Sequence, residues 1–217
     1  ETTLIKLVAG YATFVNAGRY NHPEVIEKIQ DREGKVIFKR DTRACNKCKS
    51  IQSNTFVKPI LPPEGIQVVD PNKAFQITWM LKGVTKRGTA KSLRDFKHEI
   101  AGKTGTTNDN MDAWFLGVSP ELAVGVYVGY DTPKDLGEGE TGGKVAVPIF
   151  SDFMKIALKN KERRPFLVPE GVEMVKVDYK TGSVIRSDSK NTIYEAFLKG
   201  YSSLSEKEPE QKKSLKG

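Results

Sequence analysis

The chain opens on a helical repeat of apolar positions: Leu4, Leu7, Val8, Tyr11, Ala12 and Val15. Thr2 or Thr3 stands where a cap belongs and Gly18 where the helix should close. From Pro23 to Arg40, "PEVIEKIQDREGKVIFKR" alternates on either side of Asp31–Gly34, which predicts a hairpin. Irregular sequence continues through "PILPPEG". Asp70 and Pro71 then supply a cap and a first helical position, and Gly88 stops the helix they open. The apolar face predicted for it comprises Ala74, Ile77, Leu81 and Val84. From His98 the period changes to two, predicting strands through Ile100–Thr106, Ala113–Val118 and Leu122–Tyr130. Ser119-Pro120-Glu121 joins the last two tightly. The run "LAVGVYVGY" is nearly all apolar or glycine, which predicts a central strand buried on both faces. Helical spacing returns over Pro148–Lys159 through Ile149, Phe153, Ile156 and Ala157, so a helix should pack back on the sheet. "PEGVEMVKVDYKTGSVIR" predicts a second hairpin, and "SLSEKEPEQKKSLKG" a disordered tail.

At 217 residues, 38% hydrophobic and 29% charged, the chain suits one soluble globular domain with or without a small appendage. No apolar run approaches the roughly 18 residues of a spanning helix. A start at Glu1, already entering a helical pattern, predicts a piece of something longer. The net charge of +8 raises nucleic acid as a partner, and its distribution argues against it. Residues 1–60 carry +5, residues 61–150 carry −1 and residues 151–217 carry +4. The excess lies on the flanks as a solvated face and basic tail, with an anionic membrane or polymer as the sharper alternative. No basic and aromatic interleaving of a single-strand binder is present. Cys45 and Cys48 have no second ligand pair nearby, and His22 and His98 are far off. A local disulfide is favoured over free thiols or half a metal site, and it would imply an oxidising compartment.

The triplet Lys-Thr-Gly occurs twice. Lys180-Thr181-Gly182, between "VEMVKV" and "SVI", has Asp178 before it and a glycine for the positive φ, the chemistry of a plain hairpin turn. Lys103-Thr104-Gly105 lies in a predicted strand and continues as Thr106-Thr107. Lysine sits on one face beside Gly105, while Thr104 and Thr106 share the other if the strand is flat. A twist or bulge would bring a hydroxyl and the ammonium together. Ammonium, hydroxyls and a free strand edge could hold a carboxylate on an extended peptide. The alternative is an edge lysine that guards against aggregation. A phosphate loop is disfavoured, because Lys97 stands where the Walker pattern requires glycine and "TNDNMDAWF" does not open a helix.

The stretch "RGTAKSL…EIAGKTGTTNDNMDAWFLGVSPELAVGVYVGYDTPKDLGEGETGGKVAVPIF" closely resembles the C-terminal half of the transpeptidase domain of class A penicillin-binding proteins. "LVAGYATFVNAG" and "TIYEAFLKG" fit the same family, so the likeness covers most of residues 1–200. The resemblance implies an α+β fold: an antiparallel sheet packed with helices, the C-terminal half of a penicillin-recognising, β-lactamase-like serine transpeptidase. It divides the chain into residues 1–165 of that domain, a C-terminal hairpin extension over 166–200, and a tail over 201–217.

Such proteins cross-link peptidoglycan by acyl transfer, using Ser-x-x-Lys, Ser-x-Asn and Lys-Thr-Gly motifs. By this likeness Lys103 aids the proton relay and orients the substrate carboxylate. Thr104 and Thr106 donate hydroxyls to that carboxylate, Thr107 lies in the same substrate-binding stretch, and Gly105 keeps the strand open. The Thr106 N–H forms part of the oxyanion hole. Trp114 and Phe115 are expected to anchor the core behind the site. The implied partners are the peptidoglycan stem peptide, β-lactam antibiotics and the rest of the parent transpeptidase with its glycosyltransferase domain. No cofactor, metal or nucleic acid is implied. The implied location is the periplasmic face of the bacterial inner membrane. The sequence departs from the family in one respect: neither Ser-x-x-Lys nor Ser-x-Asn precedes Lys103. Both patterns overlap downstream in Ser187, Ser189, Lys190 and Asn191, in the wrong order and in a polar loop. The chain is therefore expected to supply the Lys-Thr-Gly wall without the nucleophile. The alternatives are a non-catalytic peptidoglycan-binding module and a β-lactamase-related hydrolase.

Overall fold

The computed structural model describes residues 2–44 and 61–202. Cys45, Cys48 and the predicted tail from residue 203 lie outside them. Helix α1 (Leu4–Val15) starts behind Thr3, whose side chain makes no capping bond. Gly18 closes it at φ +78°, where a Cβ would lie 2.0 Å from the Val69 carbonyl oxygen, so only glycine fits. Strand β1 (Arg19–Tyr20) follows. The predicted hairpin forms from β2 (Lys28–Gln30) and β3 (Val36–Lys39), with the Asp31 carboxylate accepting the Glu33 and Lys35 amides in the turn. Strand β4 (Ile66–Gln67) returns to pair with β1.

Helix α2 (Pro71–Arg87) is capped as its sequence requires, by Asp70 accepting from the Asn72 and Lys73 amides. Its buried stripe differs from the predicted one. Ala74, Phe75, Thr78 and Thr85 are buried, and Ile77 faces solvent. The threonines can go inside because their hydroxyls are satisfied: Thr78 donates to the Ala74 carbonyl, and Thr85 to that of Ile100 at 2.7 Å. Apolarity alone could not anticipate that.

The sheet consists of β5 (Ala101–Thr106), β6 (Asp112–Val118) and β7 (Ala123–Gly129), antiparallel and in that order. Among the described residues β6 is the central strand. Among the described residues the expectation that "LAVGVYVGY" is central is not met: β7 pairs with a strand on one side only and is half-buried along most of its length. Helix α1 and the helix that follows β7 in the chain approach it from its two faces. At Gly125 a Cβ would meet Val8 and Leu4 of α1 within 2.7 Å.

Helix α3 (Gly142–Ala157) begins six residues before the predicted start and carries Pro148 inside. Its sheet-facing side is Ala146, Val147, Phe150 and Met154, continued by Leu158. The predicted residues Ile149, Phe153 and Ile156 are exposed instead. Two apolar stripes compete on this helix, and the winning one contains Gly142 and Ala146, which allow the closest approach to the strands. Phe115 and Phe150 meet edge to face at 4.8 Å in the core between α3 and the sheet. A second core, around Phe75, Ala101, Val118, Phe166 and Val172, lies on the other face.

The last hairpin is also corrected. Strand β8 (Val172–Asp178) pairs with β9 (Thr192–Leu198) over seven residue pairs, not with "SVI", which contributes one bridge, Val177 to Val184. The turn at Lys180–Gly182 exists, with Gly182 at φ +72° and the Asp178 carboxylate accepting the Lys180 and Thr181 amides. The chain then leaves the pair and turns again at Ser189–Asn191 before the longer alternating run "TIYEAFL" takes over the ladder.

Removing the α2 cap with Asp70→Ala is expected to lower stability by about 1 kcal/mol, read from the midpoint of urea unfolding. Phe150→Ala, which empties the core under the sheet, should cost about 3–5 kcal/mol in the same measurement. The amides around Asp178, that of Thr181 foremost, hold its carboxyl below the usual carboxylate range. Its contribution is therefore present at neutral pH and is lost as pH falls through that depressed value. Carboxyl-carbon NMR titration should find Asp178 ionising below the usual carboxylate range.

Candidate active site

Strand β5 pairs with β6 in unbroken register, from Ala101 opposite Val118 to Thr106 opposite Ala113. No twist or bulge brings Lys103 and Thr104 onto one face. Lys103 and Gly105 lie on the face of Leu116 and Trp114, and Thr104 and Thr106 on that of Phe115 and Ala113. The Thr107 amide donates to the Asp112 carbonyl across the hairpin at 3.1 Å. Backbone groups alternate in an antiparallel pair, so Lys103 and Gly105 also point their amides at β6. Thr104 and Thr106 consequently present theirs to the side where, among the described residues, no strand pairs.

Each predicted residue has a definite setting along that edge. Lys103 is exposed, and its ammonium donates to the Thr104 carbonyl at 2.9 Å, leaving further N–H donors available. The Thr104 hydroxyl lies 2.7 Å from that of Thr89, just beyond α2. One hydroxyl of such a pair donates to the other, so one proton is left for a ligand. The Thr106 hydroxyl accepts the Gly142 amide at 3.1 Å, which satisfies an otherwise orphaned N–H in the first turn of α3 and leaves its own proton free. Two hydroxyl donors, two outward amides and an ammonium therefore border one stretch of edge, next to the positive end of a 16-residue helix. The combination is suited to an anionic group on an extended chain.

Thr107 is placed differently. Its hydroxyl accepts the Asp112 amide at 2.8 Å and lies 3.3 Å from the Asp112 carboxylate, so it closes the β5–β6 turn. Asp109 and Asn110 in that turn both have left-handed backbones, at φ +58° and +53°. Asp112 also accepts from the Tyr127 hydroxyl at 2.8 Å. That bond, foremost, and burial after it raise the phenol above its ordinary value, which keeps Tyr127 a neutral donor. Phe115 is in the core as expected, whereas Trp114 is only half-buried and packs on Tyr127 at 4.4 Å between ring centres.

Thr89 and Gly142 were not singled out from the sequence, although both lie in the stretch that carries the family resemblance. Their part depends on contacts across 15 and 36 residues, which no local pattern encodes. Gly142 is essential to the arrangement, because a Cβ there would lie 2.4 Å from the Trp114 carbonyl oxygen and 2.5 Å from that of Gly105. Lys180-Thr181-Gly182 is an exposed turn on the separate β8–β9 pair, and Ser189 sits in another exposed turn, its hydroxyl accepting the Asn191 amide. Among the described residues no cluster of His, Cys, Asp and Glu is placed to hold a metal, and no helix is long and apolar enough to cross a membrane.

The family model for the penicillin binding protein transpeptidase domain matches residues 1–155. The chain belongs to that family. It is 43% identical over 199 residues to penicillin-binding protein 1A of Rickettsia prowazekii, covering 91% of this chain and 25% of that protein. To penicillin-binding protein 1A of Neisseria gonorrhoeae it is 35% identical over 181 residues, or 82% of this chain and 21% of that one. It thus spans about a quarter of the length of the curated relatives it matches. Among solved structures, penicillin-binding protein 1A from Haemophilus influenzae superposes with a TM-score of 0.72 at 27% identity, over 92% of this chain and 32% of that one. PonA1 from Mycobacterium tuberculosis, solved with penicillin V, is similar in fold alone, at a TM-score of 0.59 and 24% identity over 76% of this chain and 41% of that one. The α+β transpeptidase fold expected from the sequence is the fold of this chain.

Gly142→Ala is expected to push this transpeptidase-domain chain's α3 away from β5 and β6, at about 1–3 kcal/mol of stability. Chemical denaturation measures the loss, and a variant as stable as the parent sequence would contradict the close approach.

Proposed function

We propose that β5 is the substrate-holding wall of a peptidoglycan DD-transpeptidase, which cross-links stem peptides by serine acyl transfer and is acylated by β-lactams. The observation that carries this reading is the open edge of Lys103–Thr106, with its outward amides, free hydroxyl protons and ammonium beside the start of α3. A stem peptide adds to the edge as an extended strand. Its terminal carboxylate takes the Thr104 and Thr106 protons, and the Lys103 ammonium supplies the compensating charge and eases the proton relay. The Thr106 N–H, on the open side, serves as one oxyanion-hole donor, where charge develops on the attacked carbonyl. Gly105 leaves the backbone approachable. Thr107 contributes by holding the turn that ends the strand.

The nucleophile comes from the rest of the parent protein, since no Ser-x-x-Lys precedes Lys103 here. That parent carries the rest of the transpeptidase domain and a glycosyltransferase domain, and works on the periplasmic face of the inner membrane. Residues 1–165 form the transpeptidase part and 166–200 an extension. A β-lactam ligand agrees with PonA1, a protein of the same fold, having been solved in complex with penicillin V.

In the full-length parent, Lys103→Ala should slow acylation by a fluorescent penicillin about 10²-fold, the scale of losing one electrostatic stabiliser. A near-normal rate would remove the role given to Lys103. The 217-residue chain alone should take up no labelled penicillin, and mass-spectrometric detection of an acylated serine within it would overturn the assignment of the nucleophile elsewhere.

A further inference from the structure

The outer side of α2 is fastened to β9 by three polar side chains. The Gln76 side-chain amide donates to the Ala196 carbonyl at 2.9 Å, and the Trp79 indole N–H to that of Tyr194 at 2.7 Å. Arg87, the last residue of the helix, pairs with the Glu195 carboxylate, and its guanidinium lies 5.5 Å from the Tyr179 ring. The guanidinium folds back along the helix over Gly83, where a Cβ would lie 3.0 Å from Arg87 Nη2. Both partners of the ion pair are about three-quarters covered, with 31% of the Arg87 and 24% of the Glu195 side chain exposed.

Arg87 stands between two threonines that hold β5. Thr85 donates to the Ile100 carbonyl where the strand begins, and Thr89 meets the Thr104 hydroxyl at mid-strand. We propose that Arg87 is a positioning residue for the transpeptidase reaction: clamped to Glu195, it sets the last turn of α2 and, through Thr89, the hydroxyl that Thr104 offers to the substrate carboxylate. The inference rests on the carboxylate role given to Thr104 above. It makes the β8–β9 hairpin a support for substrate recognition, not merely added stability. An ion pair that is still partly exposed contributes modestly to stability by itself, whereas a misplacement near 1 Å at a binding group is expensive.

The test uses the full-length parent and separates the non-covalent Kd for a carboxylate-bearing penicillin from the acylation rate constant. Arg87→Met should raise Kd about tenfold with the rate constant nearly unchanged, and Arg87→Lys should recover part of the loss. Thr89→Val should raise Kd similarly, and the Arg87→Met/Thr89→Val double variant should be no weaker than Thr89→Val alone, because both act on one hydroxyl. A lower thermal midpoint with unchanged Kd, or effects of the two variants that multiply, would overturn the proposal. If Arg87→Met does not fold, Glu195→Gln takes its place, with a Kd rise of about threefold expected from losing the charge alone; an unchanged Kd in that folded variant overturns it equally. Failure here leaves the Lys103→Ala defect intact, while a normal Lys103→Ala variant would sink the underlying reading instead.

Discussion

Among the described residues strand β5 pairs with another strand on one side only, and most of the structure serves to hold it there. A strand edge with free amides invites uncontrolled pairing and lacks the restraint that a second neighbour provides. Here the restraint comes from helices. The first turn of α3 presses against the β5 and β6 backbones at Gly142, and Thr85 and Thr89 at the end of α2 grip β5 at its start and middle. Cores on both faces complete the support, with Phe115 against Phe150 on one side and Ala101 and Val118 against Phe75 on the other. Among the described residues the unpaired edge is thus kept straight without a strand across it.

The same contacts that stabilise the strand fix the hydroxyls along it. The Thr106 hydroxyl satisfies an amide of α3, and in accepting that proton it is oriented with its own hydrogen free. The Thr89–Thr104 contact restrains both hydroxyls and leaves one of their two protons free. Hydroxyls rotate readily, and each fixed acceptor contact removes part of that freedom before any ligand arrives. Preorganised donors of this kind are the form of electrostatic stabilisation that needs no rearrangement during reaction.

Much of this architecture was legible in the sequence, and the failures have a common cause. Caps, turns and strand positions follow from local rules: Asp70 and Pro71 open α2, Asp31 and Gly34 make the first hairpin, and Gly182 turns the second triplet. The choice of buried face on α2 and α3 was not legible, because both helices carry more apolar or satisfiable residues than one stripe needs. Thr78 and Thr85 go inside only because carbonyls are waiting, and Gly142 and Ala146 outcompete Ile149 and Phe153 only because the strands can come closer to small residues. The exchange of partners by β8 has the same origin, since an early turn does not decide which later strand offers the longer ladder.

The two Lys-Thr-Gly triplets mark the division most sharply. By itself the sequence determined that one is a turn and the other a strand, because Asp178 and Gly182 supply turn chemistry while Lys103–Thr106 sits in a run of period two. It also determined the family, through several spaced segments and not through three letters. Only the tertiary structure decided that Thr104 and Thr106 look out from an open edge, that Thr107 turns away to Asp112, and that Thr89 and Gly142 join them. Periodicity encodes the alternation of a strand, but which side of it remains unpaired, and what stands beside that edge, depends on contacts made by residues far apart in the chain.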